Sequence, residues 1–368
     1  MMTTSLPAKV LFALTVIAFM FLSCSKHSDN SLLPTPDLPE KPQAGTPPSE
    51  DNPEDTGHSS PEIPSFLQIT DGILTGVTGE HEEITLPAGV RQIAEKVFYG
   101  KNIRKIVLNE ELESIGTDAF AFSTLEEINF PSHLKTIGKY AFYKCEKLHT
   151  ADLERTEIEE LPEGVFGASG IQTLLLPTRL TDIGSQAFMG TLQLKTVKFP
   201  GSVKKIGVEA FRESGLTAVD LHNNLSLIAT RAFYYCPNLQ EVRTYGSVIS
   251  HDPTASIQSY SFEGCTELTA FAIPENIRRL GQGLLVKNKN VKSITIPAQV
   301  NHIAFAAFDN TGIEHVTVKP VDPPTTELVN QLAWYGFPRS IKNMEVPQGT
   351  IGRYRKAPGW NEFIEKMQ

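Results

Sequence analysis

The 368-residue chain has few cysteines and tryptophans, four and two, and no excess of positive charge. Four cysteines in a chain of this length exclude a disulfide-stapled scaffold. Lys and Arg number 33 against 42 Asp and Glu, which gives a formal net charge of −9. This balance argues against non-specific nucleic-acid binding, which needs clustered cations at the phosphates. A hydrophobic content of 40% nevertheless excludes wholesale disorder.

Motifs that carry catalytic chemistry are also missing. The sequence has no Gly-x-Ser-x-Gly elbow, phosphate-cradling glycine loop, His-Glu-x-x-His or Cys-x-x-Cys. Adjacent acids such as Glu110–Glu111, Glu126–Glu127 and Glu159–Glu160 suggest glycosidase carboxylates at first sight. Their positions in a repeat favour solvated surface instead. We therefore predict no enzyme, no cofactor, no metal site and no small-molecule substrate.

The N-terminus has the features of an export signal. Lys9 precedes 13 apolar residues, Val10 to Leu22, which fall short of the ~20 needed to cross a membrane but suit a signal peptide. Phe21-Leu22-Ser23-Cys24 resembles the lipobox of bacterial lipoproteins. The resemblance implies that residues 1–23 are removed and that Cys24 is lipidated, which attaches the protein to a membrane. A soluble secreted protein cleaved nearby is the alternative.

Residues 24–65 form a proline-rich acidic segment. Nine prolines and no aromatic residue occur between Ser25 and Ser65, together with eight acids and two bases. Proline at this density favours an extended chain and prevents a packed core. We predict a tether, which holds most of the net negative charge of the chain.

An internal repeat dominates the rest of the sequence. An Ile or Leu stands five positions before a Phe, or once before a Leu, and successive frames are 22 to 29 residues apart. The ten pairs are Ile93/Phe98, Ile115/Phe120, Ile137/Phe142, Leu161/Phe166, Ile183/Phe188, Ile206/Phe211, Ile228/Phe233, Ile257/Phe262, Leu280/Leu285 and Ile303/Phe308. The constant inner spacing indicates a rigid unit joined by adjustable loops.

A second motif, L-x-x-I-x-I, follows the Phe position and predicts one short strand per repeat. Examples are Leu125-x-x-Ile128-x-Phe130 and Leu194-x-x-Val197-x-Phe199, and a proline often ends the strand. Glycines such as Gly138 follow the Ile position, where we expect the backbone to turn. A unit of about 23 residues cannot bury its apolar side alone. Stacked copies can, so we predict a solenoid of the α/β type with a parallel sheet on one face, in preference to a β-sandwich.

The pattern resembles the BspA-like, treponemal-type leucine-rich repeats of bacterial surface proteins. Residues 137–148, Ile-Gly-Lys-Tyr-Ala-Phe-Tyr-Lys-Cys-Glu-Lys-Leu, match that consensus almost position by position. The resemblance implies about ten leucine-rich repeats over residues 66–318. It also implies a non-enzymatic cell-surface role, such as adhesion to host matrix proteins or to other cells.

Both ends of the repeat array are expected to carry caps, because an open end would expose an apolar cross-section. Phe66 to Gly79 predicts a hairpin cap, with Thr75-Gly76 among its residues. Residues 319–368 resemble the terminal segment common in this lipoprotein group, and we expect a short amphipathic helix at Asn361 to Lys366. Trp334 and Trp360 are interpreted as cap packing, with a sugar-stacking platform as the alternative.

The internal cysteines Cys145, Cys236 and Cys265 all stand three residues after the Phe position. A fixed place inside a repeat favours burial as a small apolar group. Cys236 and Cys265 belong to successive repeats, and the spacing of stacked strands is within reach of a disulfide. The sequence leaves that bridge open.

Recognition is expected on the sheet, at the residue between the last two apolar positions of each L-x-x-I-x-I motif. The candidate ligand-binding residues in this column are Asn129, Asp152, Lys198, Asp220 and Arg243. We expect Arg243 to contribute most, because binding hot spots favour arginine and aromatic residues.

Taken together, the sequence predicts an outer-membrane lipoprotein that binds a protein ligand on a host or another cell. The orientation, toward the cell surface or toward the periplasm, stays open. A glycan-binding accessory protein and a periplasmic scaffold are the alternatives.

Overall fold

The computed structural model describes residues 63–247, 250–327 and 336–368. The predicted signal peptide, Cys24, the tether up to residue 62 and Trp334 lie outside these ranges. Within them, no helix is long and apolar enough to cross a membrane.

The described chain is built from short strands with little helix. The strands are β1 (Leu67–Thr70), β2 (Ile73–Val77), β3 (Glu83–Thr85), β4 (Gln92–Ile93), β5 (Lys105–Val107), β6 (Ser114–Ile115), β7 (Glu127–Ile128), β8 (Thr136–Ile137), β9 (Thr150–Asp152), β10 (Glu160–Leu161), β11 (Thr173–Leu175), β12 (Asp182–Ile183), β13 (Lys205–Ile206), β14 (Ala218–His222), β15 (Leu227–Ile228), β16 (Glu241–Tyr245), β17 (Ser256–Ile257), β18 (Ala270–Phe271), β19 (Arg279–Leu280), β20 (Ser293–Ile296), β21 (His302–Ile303), β22 (His315–Val318), β23 (Thr325–Thr326) and β24 (Asn343–Glu345). The α-helix α1 (Ile351–Tyr354) and a 3-10 helix (Trp360–Lys366) follow.

Parallel pairing between successive repeats confirms the predicted leucine-rich-repeat solenoid. The L-x-x-I-x-I motifs form β3, β5, β7, β9, β11, β14, β16, β18, β20, β22 and β24, whose exposed side we call the sheet face. Pairing along this side is divided into four groups rather than forming one continuous sheet. The motif at residues 194–199 contains no strand.

A second set of parallel strands was not expected from the sequence. The Ile position of every frame ends a two-residue strand, and we call these strands the isoleucine ladder. Among them β4, β6 and β8 extend a five-stranded group that begins with β1 and β2, and those from β10 to β21 form an eight-stranded group together with β23. Each coil therefore has two strands, apart from the coil whose motif at residues 194–199 contains no strand, and the chain turns between them.

Stacked aromatic rings fill the core between the isoleucine ladder and the strands of the sheet face. The Phe rings from Phe98 to Phe262 stack on one another in sequence, with centroids 4.8 to 5.7 Å apart and planes within 13° of parallel. All of these side chains are fully buried. The five-residue interval in the sequence thus places one ring per coil at the same depth.

The glycines after the Ile position do not serve a turn, contrary to the expectation. Gly138 does not have a positive φ, and neither do its equivalents in the other frames. A Cβ on Gly138 would lie 2.3 Å from the Thr117 nitrogen of the preceding coil. These glycines are required because neighbouring coils approach too closely for any side chain.

Left-handed backbone occurs instead at two other positions in each frame, three and seven residues after the Ile position. They are Lys96, Asp118, Tyr140, Gly164, Gln186, Glu209, Arg231, Tyr260, Gly283 and Ala306, and Gly100, Phe122, Lys144, Ala168, Gly190, Glu213, Tyr235, Gly264, Lys287 and Asn310. Amides at these positions donate to carbonyls of the next coil, as Lys96 does to Thr117 and Phe122 does to Tyr143. These bonds offset the cost of a conformation that non-glycine residues rarely adopt.

The two ends of the array differ from the repeats. At the N-terminal end β1 and β2 pair antiparallel within the segment predicted as a hairpin, Phe66 to Gly79, and the chain reverses at Asp71–Gly72, both with positive φ. At the C-terminal end the short helix expected at Asn361 to Lys366 is present as a 3-10 helix, Trp360–Lys366. Met367 pairs with Met344 of β24, so the chain end lies beside the last strand.

Candidate functional site

The sheet face alternates buried and exposed side chains, as the motif predicts. In β9 and β11 the central residue is buried, and both flanking residues are exposed. Two large apolar side chains of the predicted column, Val107 and Leu175, are exposed at 38% and 42%. The column therefore faces solvent and offers mixed polar and apolar contacts.

Asp220 and Arg243 are brought together as an ion pair. Arg243 donates from Nε to Asp220 Oδ1 at 2.6 Å and from Nη2 to Oδ2 at 3.0 Å. Its Nη1 also lies 3.5 Å from a carboxylate oxygen of Glu241. Hydrogen bonding to Asp220 raises the pKa of the Arg243 guanidinium. The side chain expected to contribute most is thus already bound to two carboxylates of its own sheet.

Asn129 is also occupied within the fold. Its Oδ1 accepts a hydrogen bond from the Leu108 amide at 2.7 Å, and its Nδ2 donates to the Leu108 carbonyl at 2.9 Å. The side-chain amide takes the place of a backbone peptide and continues the ladder beyond β7. This contact gives Asn129 a structural role, although it is exposed.

Asp152 and Lys198 are exposed, and no ion pair holds either of them within the described part of the chain. Asp152 lies directly opposite Leu175 in the β9–β11 pair, and Lys198 lies in the next coil. We call these three residues the central patch, in which exposed Leu175 lies between opposite charges.

Ion pairs occupy the sheet on both sides of the central patch. Toward the N-terminal end, Lys105 lies 2.7 Å from Glu127, and Arg104 contacts both Glu127 and Glu83. Toward the C-terminal end, the Asp220–Arg243 pair follows directly. The central patch is therefore the part of the predicted column whose charges have not been neutralised internally.

The three cysteines are buried and free. Cys145, Cys236 and Cys265 donate from Sγ to the Phe carbonyl of the preceding coil at 3.1 to 3.2 Å. Burial raises the pKa of the Cys145 thiol to about 12. The predicted burial as small groups is confirmed, and Cys236 and Cys265 are not bridged in this structure.

Among the described residues no group of three or more His, Cys, Asp or Glu side chains is placed to hold a metal ion. Three of the adjacent acids noted in the sequence, Glu126, Glu127 and Glu159, belong to surface ion pairs. Glu126 lies 3.2 Å from Lys147, and Glu159 lies 2.8 Å from Arg179. These carboxylates do not converge on a shared site.

Sequence reasoning missed the aromatic side chains that lie on the turns between the isoleucine ladder and the sheet face. Tyr99, Phe122 and Tyr235 are exposed at 47%, 44% and 38%. All three stand one or two residues after the buried Phe or Leu position of their frames. Aromatic residues at these offsets were the available signal in the sequence, because they stand beside the repeated Phe position but outside the apolar positions that recur in every frame.

Comparison with known protein families identifies the same repeat. The model of the BspA type leucine rich repeat region matches the chain at residues 69–188, 159–255 and 216–333. No curated protein sequence is similar enough to this chain to count as a match.

Among solved structures, the chain is similar to a leucine rich cell surface protein from Faecalibacterium prausnitzii. That pair has 20% identity, covers 76% of this chain and 92% of the other, and has a TM-score of 0.46. A leucine-rich repeat protein from Bacteroides ovatus shares 20% identity over 75% and 88% of the chains, with a TM-score of 0.48. The T. pallidum leucine rich repeat protein shares 28% identity over 56% and 90%, with a TM-score of 0.40. Because the repeat matches extend over more than half of its length, this chain belongs to the BspA-type leucine-rich repeat proteins.

Proposed function

We propose that this protein is an outer-membrane lipoprotein, anchored through Cys24, that binds proteins through its sheet face at the cell surface. It catalyses no reaction, and its ligands are host matrix proteins or proteins of other cells. Membership of the family supports this proposal, since BspA-type leucine-rich repeat proteins are typically found at the cell surface. Stacked repeats also provide an extended surface of the kind used for protein recognition.

The observation that carries the proposal is the central patch. Leu175 exposes an apolar side chain between Asp152 and Lys198, whereas the charged side chains on either side are engaged in ion pairs. A partner that covers Leu175 would gain apolar burial, while complementary charges would fix its register. Binding energy commonly concentrates in such a small centre surrounded by nearly neutral contacts.

The binding proposal is tested by equilibrium binding of the purified protein to a panel of extracellular-matrix proteins and glycans. We expect saturable binding to a matrix protein, weakened at least about tenfold when Leu175→Ser is combined with Lys198→Glu. Lys356→Glu is the matched control, because Lys356 is exposed and lies in the C-terminal segment. Absence of saturable binding, or equal binding by the double variant, would contradict the proposal.

The anchoring proposal is tested separately in cells. Incorporation of a labelled fatty acid should disappear in Cys24→Ala, and the variant should leave the membrane fraction. Protease treatment of intact cells should remove the repeat region of the wild-type protein. A repeat region that survives this treatment would favour the periplasmic scaffold.

A glycan-binding role receives less support. Trp360, one of the two tryptophans considered for sugar stacking, is fully buried and donates from Nε1 to the Pro324 carbonyl at 2.8 Å. This side chain packs in the C-terminal cap and cannot present a face to a sugar.

A further inference from the structure

A cluster of aromatic side chains lies on the turns that connect the isoleucine ladder to the sheet face in the first repeats. Tyr99, Phe122 and Tyr143 come from three successive coils, with ring centroids 5.4 Å and 5.6 Å apart. Lys144 places its Nζ 5.3 Å from the Phe122 ring centre and 5.8 Å from that of Tyr143. We call these four residues the turn-side cluster.

Phe122 exposes a large aromatic ring that its own coil does not bury, since the residue is 44% exposed. Its φ is +61°, as expected of this position in the repeat. Gly100, Gly190 and Gly264 occupy the same position in other frames, and six further frames place a non-glycine residue there with the same positive φ. The exposure of the ring beside two neighbouring aromatic rings, and not its backbone conformation, therefore points to a role outside its own coil.

The cluster is held in place before any partner arrives. The Phe122 amide donates to the Tyr143 carbonyl at 2.8 Å, and the Tyr143 ring packs edge-on against Tyr140 at 5.7 Å. The Tyr140 hydroxyl donates to Glu163 Oε1 at 2.6 Å. A ring surface fixed in this way loses little conformational entropy on binding.

The charge of Lys144 separates this cluster from a similar one further along the array. Lys287 also lies over a tyrosine ring, 5.0 Å from the centre of Tyr235, but it is paired with Glu263 at 2.8 Å. Lys144 is exposed and has no carboxylate partner anywhere in the described ranges. The first cluster thus leaves a cation beside exposed rings, whereas the second is neutralised internally.

We propose that the turn-side cluster binds an acidic segment of a protein partner. A carboxylate of the segment pairs with Lys144, and an adjacent apolar side chain covers Phe122 and Tyr99. The rings are inclined to one another by 52° and 71°, so they form ridges and clefts that suit side chains rather than a flat platform for sugars. This surface is distinct from the sheet face and adds a second contact to the solenoid.

The test is selection of a random-peptide display library on the full-length protein, followed by binding measurements with the enriched synthetic peptides. We expect enriched peptides to carry Asp or Glu next to apolar residues. Their affinity should fall at least about tenfold in Lys144→Glu and in Phe122→Gly. Lys356→Glu controls for the change in net charge, and Lys198→Glu, in the central patch, should leave this binding unchanged.

Phe122→Gly separates recognition from folding, because glycine readily adopts the positive φ of this position. We expect its thermal midpoint to be no lower than that of the wild type while peptide binding is lost. If this variant unfolds, the ring serves packing, and Lys144→Glu alone decides whether the cluster binds.

Several outcomes would overturn the proposal. Enriched peptides without acidic residues would do so, and so would peptides that bind Lys144→Glu as tightly as wild type. Dimerisation that Lys144→Glu abolishes would make a second copy of the chain the occupant and would equally exclude a separate partner. Because Lys198→Glu is included, failure here is distinguishable from failure of the sheet-face proposal.

Discussion

Single residues set how closely the coils can stack. Gly138 lies against backbone of the preceding coil, and a Cβ there would be 2.3 Å from Thr117 N and 2.4 Å from Gly116 C. Backbone atoms cannot move aside as the end of a flexible side chain can. A side chain on Gly138 is therefore excluded by the neighbouring coil rather than by the local turn.

Gly138→Ala should accordingly destabilise the protein. We expect a loss of at least about 1–3 kcal/mol in the free energy of unfolding, because the new methyl group overpacks a rigid site. Gly352→Ala is the matched control. Gly352 lies in α1 with nothing near its Cβ position, so alanine should be neutral or slightly stabilising. Equal unfolding free energies for wild type and Gly138→Ala, measured by chemical denaturation, would contradict this account.

Because the thiol of Cys145 is buried, the free energy of unfolding should depend on pH in the alkaline range. Its pKa is raised from 9.0 to about 12 by burial, so the folded state keeps the proton that the unfolded state loses. The resulting stabilisation is complete below pH 9.0 and is lost as the pH rises from there toward 12. The unfolding free energy of the wild type should therefore fall more steeply above pH 9.0 than that of Cys145→Ser. Parallel pH profiles for the two proteins would refute the assignment.

At the scale of elements, the repeat stacks one phenylalanine ring per coil from Phe98 to Phe262, and Leu285 takes the place of the ring in the next coil. The L-x-x-I-x-I strands were predictable because alternating polarity has the period of a half-buried strand. The isoleucine ladder was not, because each of its strands has only two residues and no periodicity can be read from so short a segment. Its pairing depends on stacked coils, in which Gln92 lies opposite Ser114 and Ile93 opposite Ile115.

A ring in the middle of the stack should be costly to remove. Phe188 is fully buried between Phe166 and Phe211, at 5.7 Å and 5.1 Å. We expect Phe188→Ala to lower the free energy of unfolding by about 3–5 kcal/mol, through lost apolar burial and the cavity left behind. Tyr99→Ala, which removes a ring that is 47% exposed, should cost much less. Similar losses for both variants in chemical denaturation would argue against the stack as a main source of stability.

At the scale of the repeat array, stability is spread along one dimension. Each coil contacts its neighbours, and the ends need caps of different construction. The C-terminal cap buries Trp360 against Tyr354, with the rings 5.1 Å apart and at right angles. The Tyr354 hydroxyl donates to the Pro320 carbonyl at 2.7 Å, so the cap is joined to the chain that leaves the last repeats.

Damage to this cap should therefore remain local. We expect Trp360→Ala to increase amide hydrogen exchange in β22 and β24 while β3 and β5 keep their protection. The physical reason is that only nearest-neighbour contacts transmit the loss along a solenoid. Lys366→Ala, at an exposed position of the same 3-10 helix, should leave exchange unchanged. A uniform rise in exchange across the array after Trp360→Ala would show that the repeats unfold as one unit.

The sequence by itself determined the repeat, the Phe position inside each unit and the alternation of the sheet face, because these follow from spacing and polarity within one coil. Contacts between coils were decided only by the tertiary structure. In the stacked coils Arg243 pairs with Asp220 and Asn129 bonds to Leu108, whereas Lys198 stays exposed. The sequence places Arg243, Asp220, Asn129 and Lys198 in one column and does not distinguish them. The reason is that a side chain's partner in a solenoid belongs to the next coil, more than 20 residues away. The exposed rings of the turn-side cluster became visible for the same reason.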